Sequence, residues 1–253
     1  MRQDIALEKV VESLKQEPCV QSLFVKGSMG RNEHDEHSDI DLYCLVDEDG
    51  EASFLTRRLD HLRAYKDLLY YESIFIIAPQ VIGVYEDGLH IDLFTVTKKT
   101  IQEKDYFKVL YDRDEVMKDY QLTQNLTLTT EEARDRAETV VWFLFQYTKA
   151  KDRGNDLWAT EMLREVMRSM SRLLLYRYAN DRAQLGMKAI HKDLPQSKKD
   201  QLLEIYEQIT PSAHHEAGKK ILKMIDEEYG WIALEADVPT QSGRLLELVR
   251  ARI

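Results

Sequence analysis

Apolar residues recur close to helical spacing at Ile5, Leu7, Val10, Val11 and Leu14, which predicts a helix over residues 4–16, ended by Pro18. Val20–Val25 is a short apolar run and reads as a first strand. Asn32–Ser38 is polar throughout and reads as a loop, and Ile40–Val46 as a second strand. Asp47-Glu-Asp-Gly50 has the composition of a turn. Leu55, Leu59, Leu62 and Leu69 lie near one side of a helix expected over residues 54–69. Tyr70–Ile77 and Gln80–Tyr85 read as strands around Pro79. Glu86-Asp-Gly88 is an Asp-Gly hairpin turn that leads into a strand over Leu89–Val96.

The pattern changes after Tyr120–Thr130, a polar stretch expected to divide the chain into domains 1–124 and 125–253. Residues 101–120 are expected to close the first. Beyond the divide the period is helical. Thr129-x-x-Glu132 is a capping box, followed by an apolar face of Ala137, Val140, Val141, Leu144 and Tyr147. Leu163, Val166, Met170, Leu173 and Leu174 form a second face over residues 156–179, opposite a polar stripe of Glu161, Glu165, Arg168 and Arg172. Further helices are expected near 196–209, 212–229 and 241–251. Met162, Met167 and Met170 read as core filling. Trp142 and Trp158 are expected to be buried in the bundle, and His214-His215 to lie in the first turn of a surface helix. The fold class is α+β: a mixed sheet with flanking helices, then a C-terminal helical bundle.

Composition narrows the function classes. A 43% hydrophobic and 32% charged chain of 253 residues fits a globular protein. A net charge of −10 makes a broad nucleic-acid surface unlike this chain, because such surfaces carry a basic stripe. Two cysteines without metal spacing, an N-terminus without a signal-peptide core and the absence of a membrane-length apolar run point to a cytoplasmic setting.

The candidate chemistry lies in residues 24–42. Gly27-Ser28 follows the first strand, and Gly27 permits a tight turn. Ser28 is placed to start a helix whose N–H groups face an anion. Ten residues on comes Asp39-Ile40-Asp41-Leu42. Alternation along a strand puts Asp39 and Asp41 on one face and Ile40 and Leu42 on the other. Paired carboxylates repel unless a cation lies between them. Mg²⁺ is the natural candidate, since it joins carboxylates to substrate phosphates. Asp92 shares this logic on a later strand, with His90 on its face as a neighbour rather than a ligand. Arg31 and Ser38 are candidates to touch a triphosphate. His34 and His37 read as a solvated loop.

This constellation resembles the nucleotidyltransferase superfamily that includes DNA polymerase beta. The family pattern is Gly, then Gly or Ser, a spacer of about ten residues, and acid-apolar-acid-apolar, with a third carboxylate on a later strand. Lys26 stands where the family has an apolar residue. Val109-Leu-Tyr-Asp-Arg-Asp114 resembles the segment that closes the catalytic domain in antibiotic nucleotidyltransferases, and the order of domains looks like the aminoglycoside and lincosamide enzymes. The resemblance implies transfer of AMP from ATP to a hydroxyl of a small molecule, an antibiotic among the candidates, with release of pyrophosphate. It implies that Asp39, Asp41 and Asp92 hold two Mg²⁺ ions, with Asp92 as first choice of base and Glu161 or Glu165 as alternatives. It also implies that Gly27, Ser28, Arg31 and Ser38 hold the nucleotide. The small acceptor is expected in the cleft between the domains. Some relatives use a Glu base and a Lys on the first helix of the second domain. Here that place holds Gln146, with Lys149 and Lys151 nearby, and Gln cannot act as a base. Two other readings stay open: modification of a tRNA or protein, and non-catalytic nucleotide binding.

Overall fold

The elements follow one another as α1 (Arg2–Leu14), β1 (Val20–Val25), the single turn α2 (Gly27–Gly30), β2 (Ile40–Val46), α3 (Glu48–Leu55), α4 (Arg58–Leu62), β3 (Leu68–Phe75), β4 (Pro79–Tyr85), β5 (His90–Val96) and β6 (Lys108–Asp112). Then come α5 (Thr130–Asp152), α6 (Asp156–Tyr178), α7 (Met187–Asp193), α8 (Gln196–Tyr206), α9 (His214–Glu235) and α10 (Thr240–Arg250). The computed structural model describes residues 1–101 and 106–253. Residues 102–105, within the segment expected to close the first domain, lie outside the described residues. The chain divides into two units, Met1–Asn125 and Leu126–Ile253.

In the first unit the strands form one mixed sheet in the order β3-β4-β5-β2-β1-β6. Only β2 and β5 run parallel; the other neighbours are antiparallel. The parity of β2 is what separates the two faces. Ile40, Leu42, Cys44 and Val46 enter a core with Val10, Leu14, Phe54, Leu62, Ile91 and Leu93. Tyr43 and Leu45 enter a second cluster with Phe24, Phe94, Phe107 and Met117. Within it the ring of Tyr43 stacks on Phe94 at 4.3 Å and on Phe24 at 5.2 Å. Offset stacks of this kind add about 0.5–1.5 kcal/mol each beyond burial.

Two local expectations are overturned. Asp47-Glu-Asp-Gly50 is the start of a helix, not a free turn: Asp47 caps α3, its Oδ1 accepting from the Gly50 N–H at 2.6 Å. Residues 54–69 are not one helix. The chain breaks after Leu55, makes the short α4 and is already extended at Leu68. What holds the break is packing: Leu62 is buried, and its carbonyl accepts from the buried Tyr85 hydroxyl at 3.0 Å. Leu69 faces solvent at 75% exposure.

In the second unit one cluster collects the buried faces of α5, α6 and α9. The capping box is present at the start of α5, with Thr129 Oγ1 accepting from the Glu132 N–H at 3.1 Å and Glu132 Oε2 accepting from the Thr129 N–H at 2.8 Å. Met162, Met167 and Met170 are in the core. Trp142 and Trp158 are not; both are about half exposed, at 51% and 54%. His214 does begin a helix, but it is fully buried, bridging Tyr147 Oη at 3.2 Å and Asp156 Oδ1 at 3.2 Å. The short helix α7, which buries Ala189 and Ile190, lies outside the elements the pattern predicts. No helix among the described residues is long and apolar enough to cross a membrane.

Candidate active site

The exit from β1 sets the geometry. Gly27 has φ +58, in the left-handed region where a side chain is strained. A Cβ added there would meet Asp41 Oδ2 at 2.1 Å. The Asp41 carboxylate therefore rests against the turn itself, and the Lys26 N–H donates to the Asp41 carbonyl at 3.0 Å to tie turn and strand together. Gly30 is equally confined, since a Cβ there would lie 2.7 Å from the Val25 carbonyl oxygen. The helix expected to start at Ser28 is a single turn, Gly27–Gly30, closed by the Gly30 N–H donating to the Lys26 carbonyl at 2.9 Å.

The parallel pairing of β2 with β5 places Asp41 directly opposite Asp92. Asp39, one residue before β2, is more open than Asp92, with its side chain 47% exposed against 13%. His90 lies between them, its Nε2 3.3 Å from Asp92 Oδ1 and its Nδ1 3.8 Å from Asp39 Oδ2. The 3.3 Å approach is not aligned as a hydrogen bond, and both Asp92 Oδ1 and His90 Nε2 are buried without a hydrogen-bond partner among the described residues. The Asp92 carboxylate is the main cause that raises the pKa of His90 above its ordinary value; burial opposes it, and Asp39 and Asp41 add to the rise.

One ligand atom from each of Asp39, His90 and Asp92 lies within 4.8 Å of the others, near enough to share a cation. Buried polar atoms of folded proteins are nearly always paired, so the orphaned Asp92 oxygen calls for a partner. The donor set fits a hard divalent ion through its carboxylate oxygens. Imidazole suits zinc-type ions better, so an all-oxygen set would use Asp39, Asp41 and Asp92 and leave His90 as their neighbour.

The remaining candidates are tied up locally. Arg31 Nε donates to Glu33 Oε2 at 2.9 Å. Ser38 Oγ donates to Asp35 Oδ1 at 3.0 Å and accepts from the Asp35 N–H at 3.0 Å, which makes it a loop clasp. Among the loop histidines, His37 is exposed, whereas His34 is mostly covered and lies 3.3 Å from Asp4. Glu161 and Glu165 pair with Arg164 and Arg168 on their own helix. Lys149 lies over the Phe145 ring at 5.5 Å, and Lys151 Nζ donates to the Arg252 carbonyl. Sequence reasoning passed over Lys26, which is buried with its ammonium 4.2 Å from the Tyr43 ring centroid. The available signal was parity, for Lys26 follows Phe24 by two residues and Tyr43 follows Asp41 by two.

The nucleotidyltransferase domain family matches residues 7–125. Among curated proteins none matches the chain. Three of the solved structures with a similar fold are each 12% identical in sequence. An aminoglycoside 6-adenyltransferase from Bacillus subtilis is similar over 99% of this chain and 98% of its own, at a TM-score of 0.43. A nucleotidyltransferase-like protein from Exiguobacterium sibiricum is similar over 98% of this chain and 79% of its own, at 0.42. A CD-NTase from Bradyrhizobium diazoefficiens in complex with GTP is similar over 98% of this chain and 93% of its own, at 0.27. At these scores the likenesses carry no inference about substrate.

Proposed function

We propose, from the premise that residues 7–125 are a nucleotidyltransferase domain and the chain a nucleotidyltransferase, that it moves AMP from ATP to a hydroxyl of a small molecule. The observation that carries the reading is the register of Asp41 beside Asp92, with Asp39 alongside and an Asp92 oxygen left without a hydrogen bond. Two carboxylates and an imidazole within 4.8 Å of one another, with Asp41 opposite Asp92 in the sheet register, favour a divalent cation and disfavour a purely structural role.

Asp39, Asp41 and Asp92 would hold Mg²⁺, two ions in the fullest form of the reading. Bound there, Mg²⁺ supplies charge neutralisation at the triphosphate and at the entering and leaving oxygens of the displacement. The protein's own residues do the rest by positioning. Gly27 and Ser28 would offer a phosphate the backbone N–H groups of their turn, with the Ser28 hydroxyl as a further donor. Arg31 reaches phosphate only by sharing its guanidinium with Glu33. Ser38 acts by holding the loop before Asp39. The acceptor hydroxyl oxygen bonds to the α-phosphorus, the bond from that phosphorus to the bridging oxygen breaks, and pyrophosphate leaves. The hydroxyl proton passes to an Asp92 oxygen, with the His90 imidazole beside it.

The acceptor class in this reading is a small polyhydroxylated molecule, aminoglycosides and lincosamides being the first to try. The test is incubation with α-labelled ATP, Mg²⁺ and a panel of such alcohols. Label on one of them is the expected result. Label found on tRNA or a protein, with every small alcohol untouched, overturns the acceptor class and leaves nucleotidyl transfer standing.

A further inference from the structure

The polar stripe of α6 is unevenly compensated. Arg164, Arg168 and Arg172 follow one another at four-residue spacing and so share one side of the helix, where like charges repel. Glu161 and Glu165 answer the first two, at 3.7 Å and 3.4 Å in exposed pairs. Nothing answers the third. Arg172 is half-buried, with its side chain laid along Gly186, where an added Cβ would be 3.3 Å from Arg172 Cγ and 3.4 Å from Nε. Among the described residues neither Arg172 nor Arg136 of α5 has an ion-pair or hydrogen-bond partner. Burial, and then the charges of Arg136 and Arg168, lower the pKa of Arg172. In a chain with 45 acidic and 35 basic residues, a group of neighbouring guanidiniums short of carboxylates is a cost that an anion would relieve.

A hollow adjoins the stripe. Arg164 and Arg168 line it together with Met187, Tyr206 and Ile209, around a volume of about 340 Å³. It has two guanidiniums and an apolar, aromatic wall. Tyr206 is half-buried, its hydroxyl donating to Met187 Sδ at 3.6 Å across the wall of the hollow. A guanidinium offers a planar fork that matches phosphate, and its neighbours can share the same oxygens.

We propose that this face of the helical unit binds a phosphate-bearing small molecule, its body in the hollow against Tyr206 and Met187 and its phosphate at the hollow's edge, on Arg168 and on Arg172, which lies one turn along α6 outside the hollow's lining and beside Gly186. The site consists wholly of residues of the second unit and does not depend on the transfer reaction assigned to the first. A nucleic acid fits less well, because Arg136 shares its own hollow with Asp135 and Glu138, so the basic surface is short and bordered by carboxylates.

The test is calorimetry on the full chain with pyrophosphate and with AMP, in EDTA so that no divalent ion contributes. Saturable binding of at least one probe is expected. Arg172→Gln and Arg168→Gln should each weaken it about tenfold or more, the loss of a charge-assisted fork on phosphate. Arg250→Gln, at a guanidinium paired with Asp226, should leave it unchanged. The probe should raise the melting temperature of the wild type and not that of Arg172→Gln, and that variant should fold, since it removes an unpaired cation. Absence of saturable binding to both probes overturns the proposal. So does binding that survives both α6 substitutions, or tight binding to RNA alone.

Discussion

Two covered carboxylates, one in each unit, are treated in opposite ways. Glu228 on α9 has a side chain only 2% exposed, and everything it needs surrounds it: Arg177 Nη1 at 2.7 Å, Lys198 Nζ at 2.7 Å and the Tyr178 hydroxyl at 3.1 Å. Asp92 on β5 is 13% exposed, has a histidine at 3.3 Å out of hydrogen-bond alignment, and keeps one oxygen with no hydrogen bond. A buried charge without compensation costs several kcal/mol. The helical unit meets that cost from its own side chains. The sheet unit leaves it partly open, beside two further acids. Completion marks a carboxylate that holds a structure together; incompleteness marks one that awaits a partner from outside.

The largest effect that tests this contrast is on transfer. Asp41→Asn or Asp92→Asn should lower the rate of AMP transfer about a thousandfold, on the scale of losing one dedicated electrostatic contact to the transition state. The fold should survive, because the change relieves repulsion among Asp39, Asp41 and Asp92. Steady-state labelling at saturating Mg²⁺, with circular dichroism on the same samples, checks both halves. Turnover retained in either variant removes the acids from the mechanism.

Glu228→Gln should do the reverse. It strips the charge that Arg177 and Lys198 share and leaves two cations facing an amide, a loss of about 3 kcal/mol in unfolding free energy. Transfer per folded molecule should be unchanged at low temperature. Urea unfolding measures the first and labelling the second. A variant as stable as the wild type would mean that the Glu228 cluster is ornamental and that the contrast with Asp92 carries no weight.

The contrast was half legible in the residues. Strand alternation put Ile40 and Leu42 in the core, the hairpin at Glu86–Gly88 announced β5, and the capping box announced α5; local chemistry decides each of these. The resemblance grouped Asp92 with Asp39 and Asp41, but the register that sets Asp41 opposite Asp92 was beyond local reading, since it is a parallel contact between strands 51 residues apart in the chain. Asp47 misled because an Asp that caps a helix and an Asp that makes a turn form the same bond to a nearby N–H; only the burial of Phe54 in the core distinguishes them. The break at 55–58 and the burial of His214 are likewise tertiary effects, imposed by Tyr85 and by Tyr147 with Asp156. The partners that occupy Arg31 and Ser38 lie within three residues of them, yet a loop with three acids and two histidines gives no rule for choosing among them.

Glu17 supplies the smallest and most selective test, because its partners stand between the two extremes. Arg57 grips it with two bonds, Nη2 at 2.7 Å and Nε at 2.8 Å, and His61 Nε2 lies 3.0 Å away, itself braced by Ser13 Oγ at 2.9 Å. The Arg57 hydrogen bonds lower the pKa of Glu17 below its ordinary value of 4.5, with burial opposing and His61 adding to the fall. A carboxylate whose folded pKa is depressed stabilises the fold above its unfolded pKa, and that contribution is lost as pH falls through the folded value. At neutral pH, Glu17→Gln should therefore cost about 1 kcal/mol, modest because Arg57 is partly in solvent and screened. Below pH 4.5 the gap between wild type and variant should close progressively, as protonation turns Glu17 into a neutral group like the glutamine. Urea midpoints compared at pH 7 and at about pH 3, a unit or more below the ordinary glutamate value, measure both gaps. A gap of equal size at both would show that Glu17 acts through packing and not through its charge, and the distinction between completed and open carboxylates would then rest on Glu228 alone.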